Sequence, residues 1–124
     1  MRVVIIGAGE VGTSIAASLA PDHEVVVVDR DPDRAEFLKY EYDVLTITGD
    51  GTTAAVQTGA EVGGSDMVIA CTDDDQTNLV TCGTAKTLGD AFTIARVKRT
   101  DLLRTWEGDE GAFGVDFMVC TDLL

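Results

Sequence analysis

The stretch Val3-Val4-Ile5-Ile6-Gly7-Ala8-Gly9-Glu10-Val11-Gly12 restricts the folds open to this chain more than any other. Residues 3–6 are consecutive β-branched residues, as in strands buried on both faces, while Val11, Ile15, Ala16 and Leu19 recur at helical spacing. Glycines punctuate the junction. Gly7 suits the tight turn, Gly12 lets the helix lie close to the strand, and Gly9 leaves the backbone open to the pyrophosphate of a ligand. The N–H groups that open such a helix lack intrahelical partners and face an anion.

Glycine spacing alone is weak, because thirteen glycines among 124 residues produce near matches by chance. Context strengthens it. After the helix and a turn at Pro21-Asp22-His23 comes Glu24-Val25-Val26-Val27-Val28-Asp29, a second buried strand ending in an acid. That acid stands about twenty residues beyond the glycines, where a carboxylate accepts hydrogen bonds from adenosine ribose hydroxyls. Taken singly, Asp29 is a solvated strand end and the glycines are a turn. Together, in register, they point to a dinucleotide site.

Further along, Asp31-Pro32-Asp33-Arg34 opens a second helix, with Asp31 as N-cap, Pro32 at the first helical position and an apolar face of Ala35, Phe37, Leu38 and Tyr42. Residues 44–48 make a third strand, ended by Gly49-Asp50-Gly51, and 52–58 a short helix closed by Gly59. A fourth strand spans 67–71, and Thr72-Asp73-Asp74-Asp75 caps a long helix reaching Leu88. A fifth strand at 91–97, a short helix at 101–106 and a sixth strand at 115–120 follow, and Thr121-Asp122 reads as one more helix start. Strands alternating with helices give an α/β fold: a doubly wound parallel six-stranded sheet, Rossmann-like, in the order 3-2-1-4-5-6.

Ligands of such sheets bind beyond the carboxyl ends of the strands. The residues there are Gly7, Ala8, Gly9, Glu10, Val11 and Gly12, then Asp29 and Arg30, Asp50 and Gly51, Cys71, Thr72 and Asp73, and Arg96 on the fifth strand. Hydride transfer to a carbonyl usually needs a proton donor beside the nicotinamide, and none is evident among them. The only histidine, His23, precedes the second strand and so belongs to the opposite edge. Tyr40 and Tyr42 end a flanking helix, and acids around Cys71 disfavour its thiolate. Asp73, Asp74 and Asp75 read as caps rather than metal ligands, since consecutive acids at a helix start point in different directions.

A chain of this length reads as one domain, 1–124, and no apolar run approaches the roughly 20 residues that cross a bilayer. Cys71, Cys82 and Cys120 fit neither a disulfide framework nor zinc spacing and are expected to be buried thiols in a cytoplasmic protein. Nine Lys plus Arg against twenty-two Asp plus Glu give a net charge of −13, which disfavours nucleic acid as a partner. The acids lie on turns and helix faces, so the charge is a surface property and suggests a halophilic source.

Six segments then carry a family resemblance: Gly7-Ala8-Gly9-Glu10-Val11-Gly12; Val28-Asp29-Arg30-Asp31; Gly49-Asp50-Gly51-Thr52; Thr72-Asp73-Asp74 with Asn78; Ala95-Arg96; and Gly114-Val115-Asp116. In this order they resemble the nucleotide-binding N-terminal lobe of TrkA-type potassium-uptake regulators, the RCK or KTN domains, over the whole chain. The resemblance implies a non-catalytic sensor, assembled as a homo-oligomer (a dimer or higher ring) on the cytoplasmic side of a membrane potassium transporter or channel subunit. It implies NAD or NADH as ligand, with ATP or ADP as the alternative. Gly7, Gly9 and Gly12 would then hold the pyrophosphate, Asp29 the ribose and Asp50 the adenine side. Thr72 and Asp73 would meet the second half of the ligand, and Arg96 phosphates or a neighbouring subunit. Two departures stand out: Glu10 sits where many members carry Arg or Gln, and a crossover helix and smaller lobe usually follow, so the chain is expected to be a fragment. The rival is an NAD-binding domain cut from a dehydrogenase.

The charge carries its own test. Repulsion among surface acids weakens the compact state in dilute buffer and is screened by salt. The unfolding midpoint should therefore rise from dilute to molar KCl, and an unchanged midpoint would show that the acids do not oppose folding.

Overall fold

In the computed structural model, which describes residues 1–109 and 111–121, strand β1 (Arg2–Ile6) runs through the middle of a parallel sheet. It pairs on one side with β2 (Glu24–Asp29) and on the other with β4 (Met67–Ala70). Beyond β2 lies β3 (Leu45–Thr48), and beyond β4 lie β5 (Phe92–Val97) and then β6 (Phe117–Cys120). The resulting order, β3-β2-β1-β4-β5-β6, is the one expected. Helices α1 (Glu10–Leu19), α2 (Pro32–Glu41), α3 (Ala54–Gly59), α4 (Asp75–Leu88) and α5 (Thr100–Gly108) make the crossovers.

Alternation along the strands divides the core. Val3, Ile5, Val25, Val27 and Ile69 meet Ala16 of α1 and Leu38 of α2 on one face. Val4, Ile6, Val26, Val28 and Val68 meet Ala60, Val62 and Ala85 on the other. Each valine or isoleucine so buried contributes about 1.5–3 kcal/mol, which is why these runs hold the centre of the sheet despite the acidic surface. Around β5 and β6 a third group, Ala95, Val97, Val115 and Met118, packs with Cys82 and Trp106.

Several boundaries differ from expectation. Val44 and Val115 are buried but precede their strands, α3 starts two residues later because Thr53 caps it, and α5 is longer at both ends. Two 3-10 turns, Val62–Gly64 and Ala112–Gly114, were not anticipated. Phe37 is 54% exposed and does not belong to the inner face of α2, since it falls between the turns that point Ala35 and Leu38 at the sheet. Of the proposed helix start Thr121-Asp122, Asp122 lies outside the described residues.

Asp116 ties the later strands to α4. One of its oxygens accepts the Thr93 N–H at 2.9 Å and the Lys86 ammonium, while its own N–H donates to the Thr93 hydroxyl at 3.0 Å. Burial pushes the Asp116 carboxyl up, but the Lys86 and Thr93 hydrogen bonds outweigh it and hold the group below the usual carboxylate range. Because Thr93 is fully buried, Asp116→Ala should lower stability by about 1–3 kcal/mol, read as a shift in urea midpoint at constant slope. A depressed folded pKa stabilises above the unfolded value, near about 4, and the contribution is lost as pH falls through the folded value. The difference between parent and variant should accordingly narrow on acidification.

Candidate functional site

The glycine turn is shaped by contacts that only glycine permits. Gly7 has φ +114° and donates its N–H to the Val28 carbonyl at 2.8 Å. A Cβ on Gly12 would stand 1.8 Å from the Gly7 carbonyl oxygen, so α1 begins directly against the end of β1. Gly9 is different. Its φ of −74° is open to any residue, and a Cβ there would meet nothing within 4 Å. Folding places no demand for glycine at this position.

Gly9 is also the N-cap of α1, which therefore has no side-chain cap. The caps of α2, α3 and α4 are Asp31, Thr53 and Asp74, each accepting a backbone N–H. The first turn of α1 thus keeps its donors and the positive end of its dipole exposed. Beside it, the two oxygens of Asp29 accept the Ala8 N–H at 2.8 Å and the Asp31 N–H at 2.9 Å. These bonds fix the carboxylate at the end of β2 while leaving each oxygen further acceptor capacity.

Two adjoining cavities run along this edge. The inner one is lined by Gly7, Gly9, Glu10 and Val11 at the turn, Asp29 and Arg34, and Cys71, Thr72, Asp73 and Arg96. The outer one, about 400 Å³, lies among Asp29, Arg30, Gly49, Asp50, Gly51 and the residues that open α4, and falls in the size range of small-molecule sites. Most of the residues singled out from the sequence therefore converge. Ala8 and Gly12 act from beneath, one through its N–H on Asp29 and the other through the close approach to Gly7. The residue that sequence reasoning missed is Arg34, which lines both cavities from the first turn of α2. Its signal was its place one turn after Asp29, read only as part of a helix start.

The wall opposite the glycines is held by Asn78, which is fully buried. Its Oδ1 accepts the Thr72 N–H and hydroxyl at 2.9 and 2.7 Å, and its Nδ2 donates to the carbonyls of Thr72 and Arg96 at 3.0 and 2.8 Å. The three consecutive acids serve separate tasks rather than one common cap. Asp73 stands 3.5 Å from the Arg96 guanidinium, Asp74 caps α4 through the Thr77 N–H, and Asp75 accepts the N–H groups of Lys98 and Arg99. At the outer end, the Thr52 hydroxyl and N–H hold the Asp50 carboxyl below its ordinary range, with Arg30 adding to the effect.

Comparison with known proteins agrees with this geometry. The model of the TrkA-N domain family matches residues 3–119. The chain is 38% identical, over 130 aligned positions, to the Trk system potassium uptake protein trkA homolog 1 of Methanosarcina mazei, covering 99% of this chain and 32% of that protein. It is 37% identical over 123 positions to the TrkA homolog of Archaeoglobus fulgidus, covering 99% and 28%. The chain thus spans about a third of the length of these curated relatives. Among solved structures, the GsuK channel bound to NAD superposes with a TM-score of 0.78 at 26% identity, over 95% of this chain and 21% of that one. The halophilic source inferred from charge finds no support in these relatives.

Cys71 lines the inner cavity, yet burial, with Asp29 adding and Arg96 opposing, pushes its thiol up to about 12. Burial thus replaces the neighbouring acids as the chief reason for its low reactivity. Cys82, inside the core, is raised to about 12 by burial as well. Both should resist iodoacetamide in the native chain at pH 8 and react once urea unfolds it. Rapid alkylation of native Cys71, located by mass spectrometry, would contradict this environment.

Proposed function

Since the chain belongs to the TrkA-N domain family, we propose that it is a nucleotide-sensing, non-catalytic domain that takes NAD or NADH in the cleft at the carboxyl edge of its sheet. It forms part of a longer polypeptide that regulates a potassium transporter or channel from the cytoplasmic side, as a homo-oligomer. The turn at Gly7, Gly9 and Gly12 and the first N–H groups of α1 receive the pyrophosphate, and Asp29 the adenosine ribose. Asp50, with Arg30 and Gly51 nearby, borders the adenine side. Ala8, Glu10, Val11, Cys71, Thr72, Asp73 and Arg96 surround the remainder.

The observation that carries this reading is the start of α1 at Gly9, which has no side-chain cap and where, among the described residues, nothing stands within 4 Å of the place a Cβ would take. A ligand lying against that backbone would supply the missing partner. The buried Arg96 Nε, which has no partner among the described residues, supports the same view of a cleft prepared for a polar ligand. Among the described residues lining the cleft there is no His, Lys or Tyr to serve as general acid, which favours sensing over turnover. The carboxylate of Asp29 at the ribose edge favours NAD(H) over NADP(H), whose 2′-phosphate it would repel.

Calorimetric titration of NAD, NADH, ADP and ATP tests the assignment. Asp29→Ala should weaken NADH binding by thirty- to nearly thousand-fold, equivalent to about 2–4 kcal/mol. Gly9→Ala should keep the parent's thermal midpoint while losing NADH affinity, and NADH should remain unconsumed throughout. Undiminished NADH binding in both variants would end the reading.

A further inference from the structure

Resting on that nucleotide assignment, we propose that Arg34 is the residue that neutralises and orients the ligand's phosphates, and so decides affinity for phosphorylated ligands. The two cavities share Gly7, Asp29, Arg34, Thr72 and Asp73 in their linings, and Arg34 is the only cation of that set. A ligand occupying both halves passes Arg34 where the two linings meet.

Among the described residues the guanidinium makes no hydrogen bond. Its ionic neighbour is Asp31, at 3.9 Å, beyond hydrogen-bond distance, and both side chains are about half exposed. Asp31 spends one oxygen on the Asp33 N–H as the cap of α2, which holds the carboxylate in place and leaves the arginine fork free. The other cations differ. Arg96 is engaged by the Thr72 carbonyl at 3.3 Å and by Asp73, and Arg30 lines only the outer cavity.

Charge makes such a group necessary. Glu10, Asp29 and Asp73 all line the inner cavity, against Arg34 and the already engaged Arg96. The N-terminus of α1 supplies roughly half a positive charge, too little to offset three carboxylates and a pyrophosphate. A planar guanidinium can give two parallel N–H···O bonds to phosphate oxygens, which an ammonium cannot. Adenosine, with no phosphate, gains nothing from it.

The test titrates adenosine, AMP and NADH into the parent, Arg34→Ala, Arg34→Lys and Asp29→Ala. Arg34→Ala should weaken NADH and AMP about ten- to hundred-fold with adenosine unchanged, and Arg34→Lys should recover only part of the loss. Because Arg34 is exposed and weakly paired, its variants should keep the parent's thermal midpoint. Parent-like NADH and AMP binding by Arg34→Ala, or an equal loss of adenosine, would overturn the role assigned to Arg34. If NADH binding responds to Asp29→Ala but not to Arg34→Ala, the nucleotide reading stands without Arg34. A parent that binds none of the three overturns both.

Discussion

The close approach of α1 to the end of β1, with Gly12 against the Gly7 carbonyl, is the contact on which the rest of the structure depends. It places the start of a helix directly beyond the central strand, at the point where the connections turn from one side of the sheet to the other. With an alanine at Gly12, the helix would have to withdraw or the turn would have to open. Either change would move the uncapped N–H groups away from Asp29 and from the wall built on Thr72. The apolar faces of β1 supply the energy of the fold, and the glycine contact determines where that energy positions polar groups.

Around this junction the backbone is held firmly while the charges remain free. Asp29 is anchored by Ala8 and Asp31, and the Thr72 turn by Asn78, which also grips the Arg96 carbonyl. The bonds of the buried Asn78 are costly to break, and the two on Asp29 fix its carboxylate, so the two walls of the cleft keep their spacing. Glu10, Arg30, Arg34 and Asp73, by contrast, are exposed. Rigid donors with adjustable charges would suit the proposed sensing role, because recognition needs a formed site but no reactive group.

Much of the architecture was legible before the structure. The β-branched runs of β1 and β2, the Asp31-Pro32 helix start and the structural roles of Gly7 and Gly12 follow from local chemistry: strand period, missing Cβ atoms and the capping of backbone donors. Legibility failed where the outcome depended on direction within a turn. Phe37 looked like a core residue by hydrophobicity alone, yet one residue of helix rotates a side chain by about 100°, enough to send it to solvent. Asp73, Asp74 and Asp75 looked equivalent in composition but face Arg96, the α4 start and the β5–α5 turn respectively.

By itself, the sequence determined the alternation of strands and helices, the parallel order, the glycine turn and the acid at the end of β2. All of these rest on residues close together in the chain. Only the tertiary structure decided which cation lines both cavities, because Arg34 is brought there through the pairing of β2 with β1 and the crossover that follows. It likewise decided that Asn78 is the buried link between Thr72 and Arg96, and that Cys71 is silenced by burial. Those relations join residues distant in the chain, and no local periodicity encodes them: they exist once the parallel strands have brought their carboxyl ends to one edge.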